Sequence, residues 1–161
     1  MKLKGKTLEP PKPVDIVLPR GDDVIHLRAQ AVFDYSEFEK ACPEPTPPFK
    51  MKPGEKPPGT KDFDDKGYKR DWAEWYDRRT GWMLVKSLSA TDGLEFDAMR
   101  ADQPATCSQK GLFEELTKSG FLDAEVDHIV RCIRRANALD ERHMEEIRQR
   151  FLRQQAEQSS E

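Results

Sequence analysis

The sequence predicts an α+β fold, on three observations. Period-two alternation of apolar residues is confined to the first forty or so positions. Three- and four-residue apolar spacing dominates after residue 63, and a proline-dense stretch lies between the two. Pro10, Pro11 and Pro13 precede the first strand, and most of the remaining prolines fall within CPEPTPPFKMKPGEKPPG, from Pro43 to Pro58. Proline fixes φ, lacks an N–H and restricts the residue before it, so neither a helix nor a central strand persists through that stretch. The expected organisation is a β-hairpin lobe with a short helix (1–42), a Pro-rich linker (43–62), a helical lobe of about four helices (63–153) and a disordered tail (154–161).

In the first block Val14, Ile16 and Leu18 alternate with other residues, and Pro19-Arg20-Gly21-Asp22-Asp23 supplies turn chemistry. Ile25, Leu27, Ala29, Ala31 and Phe33 then occupy one parity, against His26, Arg28 and Gln30 on the other. Alternation on both sides of a Gly/Asp turn signals a hairpin, and Lys2–Lys4 with Thr7-Leu8 would make it a three-stranded meander. Ser36, with Glu39 three residues on, forms a capping-box pattern for a short helix whose Phe38 and Ala41 face the sheet and which ends before Pro43. A two-stranded ribbon is marginal in water. Its apolar face therefore needs cover from the helical lobe, or its edge needs another copy.

In the helical block, Tyr68, Trp72, Trp75, Tyr76, Arg79 and Met83 recur at helical steps between about Asp65 and Ser89, with Gly81 marking a bend or a close crossing. Thr91-Asp92-Gly93 reads as a turn, and Leu94–Met99 as an irregular connector with some strand character. A helix from about Gln109 to Ser119 turns Leu112, Phe113 and Leu116 inward and stops at Gly120 in the C′ position. The next begins at Asp123 as N-cap and carries the stripe Val126, Ile129, Val130 and Ile133. Asn137-Ala138-Leu139 breaks it, and Asp140 starts a last helix with Met144, Ile147 and Phe151.

Composition narrows the function. The 161 residues are 36% hydrophobic and 35% charged with a net charge of −3, which implies a small core, much surface and no pull toward polyanions. No apolar run reaches the roughly 20 residues that cross a bilayer, and the N-terminus has no apolar stretch of secretory type, so the expectation is an intracellular protein with no membrane partner. Cys42, Cys107 and Cys132 are odd in number and widely spaced, which suits reduced thiols. His128 and Cys132 share a helix face, but two donors fall short of the three or four that zinc needs, so no metal and no cofactor are expected. His26 and His143 read as exposed side chains. The carboxylates are numerous without converging, phosphate-binding glycine loops are absent, and Arg131, Arg134 and Arg135 read as a solvated face among acidic neighbours. No catalytic residue is assigned. Tyr68, Trp72, Trp75, Tyr76 and Trp82 exceed what a small lobe readily buries, so they are either core or an edge that holds a partner's apolar segment.

The order VFDYSEFEKACPEPTPPFK, then a charged aromatic helix ending WMLVKSLSAT, then SGFLDAEVDHIVRCIRRANALDERHMEEIRQRFL resembles the tail assembly chaperones of long-tailed bacteriophages. The resemblance spans about Val32 to Leu152. It rests on Cys42-Pro43-Glu44-Pro45 and on Asn137-Ala138-Leu139-Asp140 with Ile147-Arg148 and Phe151-Leu152. It implies a non-enzymatic protein of the host cytoplasm, missing from the mature virion, that binds and solubilises the tape measure protein during tail morphogenesis and yields it as tail tube subunits polymerise around it, with the tail tube protein as a further partner. A homo-oligomer would suit that role. The alternatives are a structural virion component, such as a neck or tail-completion protein, and a small nucleic-acid-binding protein. The expected partner surface is Tyr68, Trp72, Trp75 and Trp82 together with Val126, Ile129, Val130 and Ile133.

Overall fold

The computed structural model describes residues 11–51, 53, 54, 56 and 59–138, together with the backbone alone of 2–3 and 6–7. The last helix expected from Asp140 and the polar tail lie outside these residues. The fold is α+β, an N-terminal antiparallel hairpin with four helices mostly in the C-terminal part. The elements are β1 (Lys2–Leu3), β2 (Lys6–Thr7), β3 (Val14–Arg20), β4 (Asp23–Ala29), α1 (Ser36–Ala41), β5 (Phe49–Lys50), β6 (Thr60–Lys61), α2 (Lys66–Leu88), α3 (Gln109–Lys118) and α4 (Asp123–Ala136). Among the described residues each strand pairs only with its neighbour in sequence, so β1 and β2 pair with each other and do not extend the hairpin into a meander. The chain forms two compact units that interleave in sequence, 1–32 with 87–94 and 121–161, and 33–86 with 95–120. The grouping follows contacts, and so cuts across the sequential blocks that the proline stretch suggests.

In the first unit β3 and β4 pair in the register Ile16↔Leu27 and Leu18↔Ile25. The two-residue loop places Gly21 at φ 60, the positive angle that a tight hairpin loop demands of its first residue. Ile16, Leu18, Leu27 and Ala29 are buried, while Val17 and Val24 point outward. The cover is α4, which packs on β3 and β4 and buries Val126, Ile129 and Ile133. Leu122, not Asp123, takes the capping position, because the Glu125 carboxylate reaches back to accept the Leu122 N–H at 2.8 Å. That carboxylate also receives Arg20 through two bonds of 2.9 and 2.6 Å, and the Arg20 guanidinium lies 5.1 Å over the Phe121 ring.

Polar closure of this unit runs through Asn137, at the C-terminus of α4. Its Nδ2 donates to the Ile133 carbonyl at 2.9 Å and its Oδ1 accepts the Val32 N–H at 2.8 Å. The fully buried Ser87 donates its hydroxyl to the Gln30 carbonyl at 2.5 Å, and its own carbonyl accepts the Gln30 N–H at 3.0 Å. Arg28 N–H donates to Thr91 Oγ1 at 2.7 Å. Residues 87–91 thus satisfy backbone groups at the end of β4 that would otherwise be an open edge.

In the second unit Trp82 is the centre. It is fully buried, donates Nε1–H to the Ala101 carbonyl at 2.9 Å, and meets Tyr35 and Phe38 at ring-centroid distances of 5.5 and 5.7 Å. Met83, Leu84 and Val85 complete a buried turn of α2. Tyr35, not Ser36, takes the N-cap position of α1 without a side-chain cap bond, and the Asp34 carboxylate just ahead of it accepts the Ser36 N–H at 2.8 Å; Phe38 turns inward while Ala41 is exposed. Trp75 donates Nε1–H to the Cys42 carbonyl at 2.9 Å, which pins the Cys42-Pro43 junction to α2. Ser108 caps α3 by accepting the Gly111 N–H at 2.9 Å, and Gly120 follows its end at φ 84. Phe113 is only half-buried, and Leu94–Met99 forms no strand. Instead the Glu115 carboxylate accepts the Asp97 N–H at 2.5 Å.

Gly81 is a close crossing. A Cβ there would stand 2.1 Å from the Ser108 carbonyl carbon and 2.4 Å from Gln109 N, against backbone that cannot swing aside. Gly81→Ala is therefore expected to destabilise by about 1–3 kcal/mol despite alanine's higher helix propensity, read as a lower urea midpoint with an unchanged slope.

Hydrogen bonding by the Leu122 N–H, the largest effect, holds the Glu125 carboxyl below its ordinary range; desolvation, next in size, opposes it, and the bond and charge of Arg20 add to the lowering. A depressed carboxyl stabilises the fold at neutral pH, and the gain disappears as pH falls through the depressed value. Arg20→Gln should therefore flatten the rise of stability between roughly pH 3 and 5, the carboxylate range, as measured by urea melts across that interval.

Candidate partner-binding surface

The eight residues expected to form a partner surface divide by burial. Trp82, Val126, Ile129 and Ile133 are core residues, at most 6% exposed. The α4 stripe is thus the cover of the hairpin and not an open surface, because a ribbon of two strands has no other way to bury Ile16, Leu18 and Leu27 in its own unit. Val130 is half-buried on the flank of that contact. Trp82 is buried for a related reason, since α1 and the 99–107 segment close over the C-terminal half of α2.

The N-terminal half of α2 differs. Trp72 is 39% exposed and Tyr76 50%, and their rings stack at 5.3 Å with planes 13° apart. Trp75 and Tyr68 are half-buried, the first 6.5 Å from Trp72 and the second edge-on to Phe63 at 6.0 Å. Phe63 itself is 59% exposed. Tyr35 and Trp75 hold the Arg79 guanidinium at 4.2 and 5.8 Å, which settles that cation inside the unit. The helix is capped for projection: Asp65 Oδ1 accepts the Tyr68 N–H at 2.8 Å, and the Asp62-Phe63-Asp64-Asp65 cluster serves the helix start. What the helix presents is a short aromatic row, Phe63, Tyr68, Trp72 and Tyr76, flanked by the exposed charges of Lys69, Arg70, Asp71 and Glu74.

Phe63 and Tyr76 belong to this row but were outside the expected site. Tyr76 shares the α2 spacing that marked Trp72, so its signal was present. Phe63 sits among aspartates ahead of the helix, where no periodicity reaches. Among the described residues no three His, Cys, Asp or Glu side chains are grouped to hold a metal ion. Burial pushes the Cys107 and Cys132 thiols up, away from nucleophilic character at neutral pH. The depression beside α3, lined by Asp77, Gln109, Lys110, Phe113 and Glu114, is open and shallow. Among the described residues no helix is long and apolar enough to cross a membrane.

No family model, curated protein or solved structure matches the chain.

The partition of the tryptophans is directly measurable. Trp82→Ala should lose about 3–5 kcal/mol of stability, as truncation of a buried aromatic does, and it leaves the Ala101 carbonyl without its donor. Trp72→Ala and Tyr76→Ala should stay within about 1 kcal/mol of the parent. Equal losses at all three positions in chemical melts would refute the assignment of Trp72 and Tyr76 to the surface.

Proposed function

We propose that this chain is a tail assembly chaperone of a long-tailed bacteriophage, a non-enzymatic holder that binds the tape measure protein in the host cytoplasm and keeps it soluble. The observation that carries the reading is the exposed, stacked Trp72–Tyr76 pair on a helix whose other half is firmly anchored. Large rigid aromatics on a fixed helix give contact area at little conformational cost and are typical anchors for apolar partner segments. A tape measure protein is a long helical chain with unsatisfied apolar stripes, the occupant that such a row accommodates. The resemblance in residue order across Val32–Leu152 names the family, and the charged flanks of the aromatic row suit a reversible holder that must remain soluble when empty.

The test is co-expression with the tape measure protein of the same genome. The expected result is a higher soluble yield of that protein and co-purification of the two. Replacing Trp72 and Tyr76 together by Ala should weaken capture by about thirtyfold, the equivalent of about 2 kcal/mol for a binding anchor, while the fold persists. Unchanged solubility and no complex would overturn the proposal. Recovery of the chain from finished virions would favour a structural component instead.

A further inference from the structure

An imidazole and a thiol meet on α4. His128 Nε2 and Cys132 Sγ lie 3.7 Å apart, one helical turn from each other, with His128 exposed and Cys132 7% exposed. A hydrogen bond between them is weak at this distance, but the spacing fits a shared metal. With Zn–N of about 2.05 Å and Zn–S of about 2.3 Å, an edge of this length closes a triangle with an apex of about 115°, near the tetrahedral angle. Helical i, i+4 geometry supplies that bite without rearrangement of the backbone.

Zinc seeks four such donors and the pair supplies two. Among the described residues no third His, Cys, Asp or Glu joins them. The charges along the helix point to the source of the others. Asp123 and Asp127 occupy the first half of α4, and Arg131, Arg134 and Arg135 the second. All five are exposed, and none holds an ion-pair partner among the described residues. A second α4 running antiparallel sets each acidic half against a basic half, with the two His128–Cys132 pairs meeting near the centre.

We propose that His128 and Cys132 form half of a Cys2His2 zinc site that a second copy of this chain completes. Each Cys132 thiol gives up its proton as its sulfur binds, so one Zn2+ and two neutral thiols yield a neutral centre and two released protons, with no change of oxidation state. Because both thiols must lose their protons, binding tightens as pH rises. The site is independent of the aromatic row of α2.

The probe is Co2+ added to the reduced full chain, followed by Zn2+ in analytical ultracentrifugation. Expected are a thiolate-to-cobalt charge-transfer band with tetrahedral d–d absorption, saturation at one metal per two chains, and a dimer that dissociates on chelation. Cys132→Ser should abolish the band. His128→Ala, at an exposed position, should keep the parent's melting temperature within a few degrees and lose both the tetrahedral spectrum and the dimer. The inference is overturned by the absence of a band at millimolar cobalt, by a band that survives Cys132→Ser, by one metal per chain without dimerisation, or by a dimer indifferent to chelation.

Discussion

A two-stranded ribbon has one apolar face and cannot bury it alone. That constraint organises the first unit of this protein. Ile16, Leu18, Leu27 and Ala29 share a face by the period of two, and α4 offers Val126, Ile129 and Ile133 at the period of 3.6 to match it. Burying a few large aliphatic side chains, at about 1.5–3 kcal/mol each, is what makes so short a hairpin tenable. Everything else in the unit holds that contact in place. Arg20 binds Glu125 at one end of the helix, and Asn137 ties the other end to Val32. The Gly21-Asp22 turn thus leaves Arg20 at the end of β3 committed to α4.

The second unit solves a different problem. Apart from α2 and α3, its segments are short, and among the described residues they form no extended sheet. One buried side chain, Trp82, gathers them. Tyr35 and Phe38 pack against it with tilted rings, and the Ala101 carbonyl accepts its N–H. The absence of a side chain matters as much one residue earlier, where Gly81 lets the Ser108 backbone approach within the space a Cβ would fill. Cys42-Pro43 gains a role in the same way, since the helix must stop there and the freed Cys42 carbonyl is what Trp75 binds. Packing density near that of crystals leaves little tolerance at such crossings.

α2 serves two purposes along one axis. Its C-terminal half is buried on nearly every side, and its N-terminal half carries the exposed Trp72 and Tyr76. An anchored helix that presents aromatic rings is suited to hold an apolar segment of a partner, and this is the basis for the chaperone proposal. The same division explains why five aromatic residues of similar spacing have different roles.

Much of the architecture was legible in the residues themselves. The hairpin, its Gly21 loop, the α3 stop at Gly120 and the α4 break at Asn137 follow from period, turn chemistry and capping, which are local properties of the chain. Capping positions shifted by one residue, from Ser36 to Tyr35 and from Asp123 to Leu122, and in α4 it is the reach of the Glu125 carboxylate back to the Leu122 N–H that marks the start. Burial was not legible. An apolar stripe looks the same whether it covers a sheet or waits for a partner, so Val126, Ile129 and Ile133 could be read as surface, while Phe63 gave no periodic signal at all. The order of residues determined which faces were apolar. Only the tertiary structure decided which of them met one another, because that depends on which segments, distant in sequence, pack together.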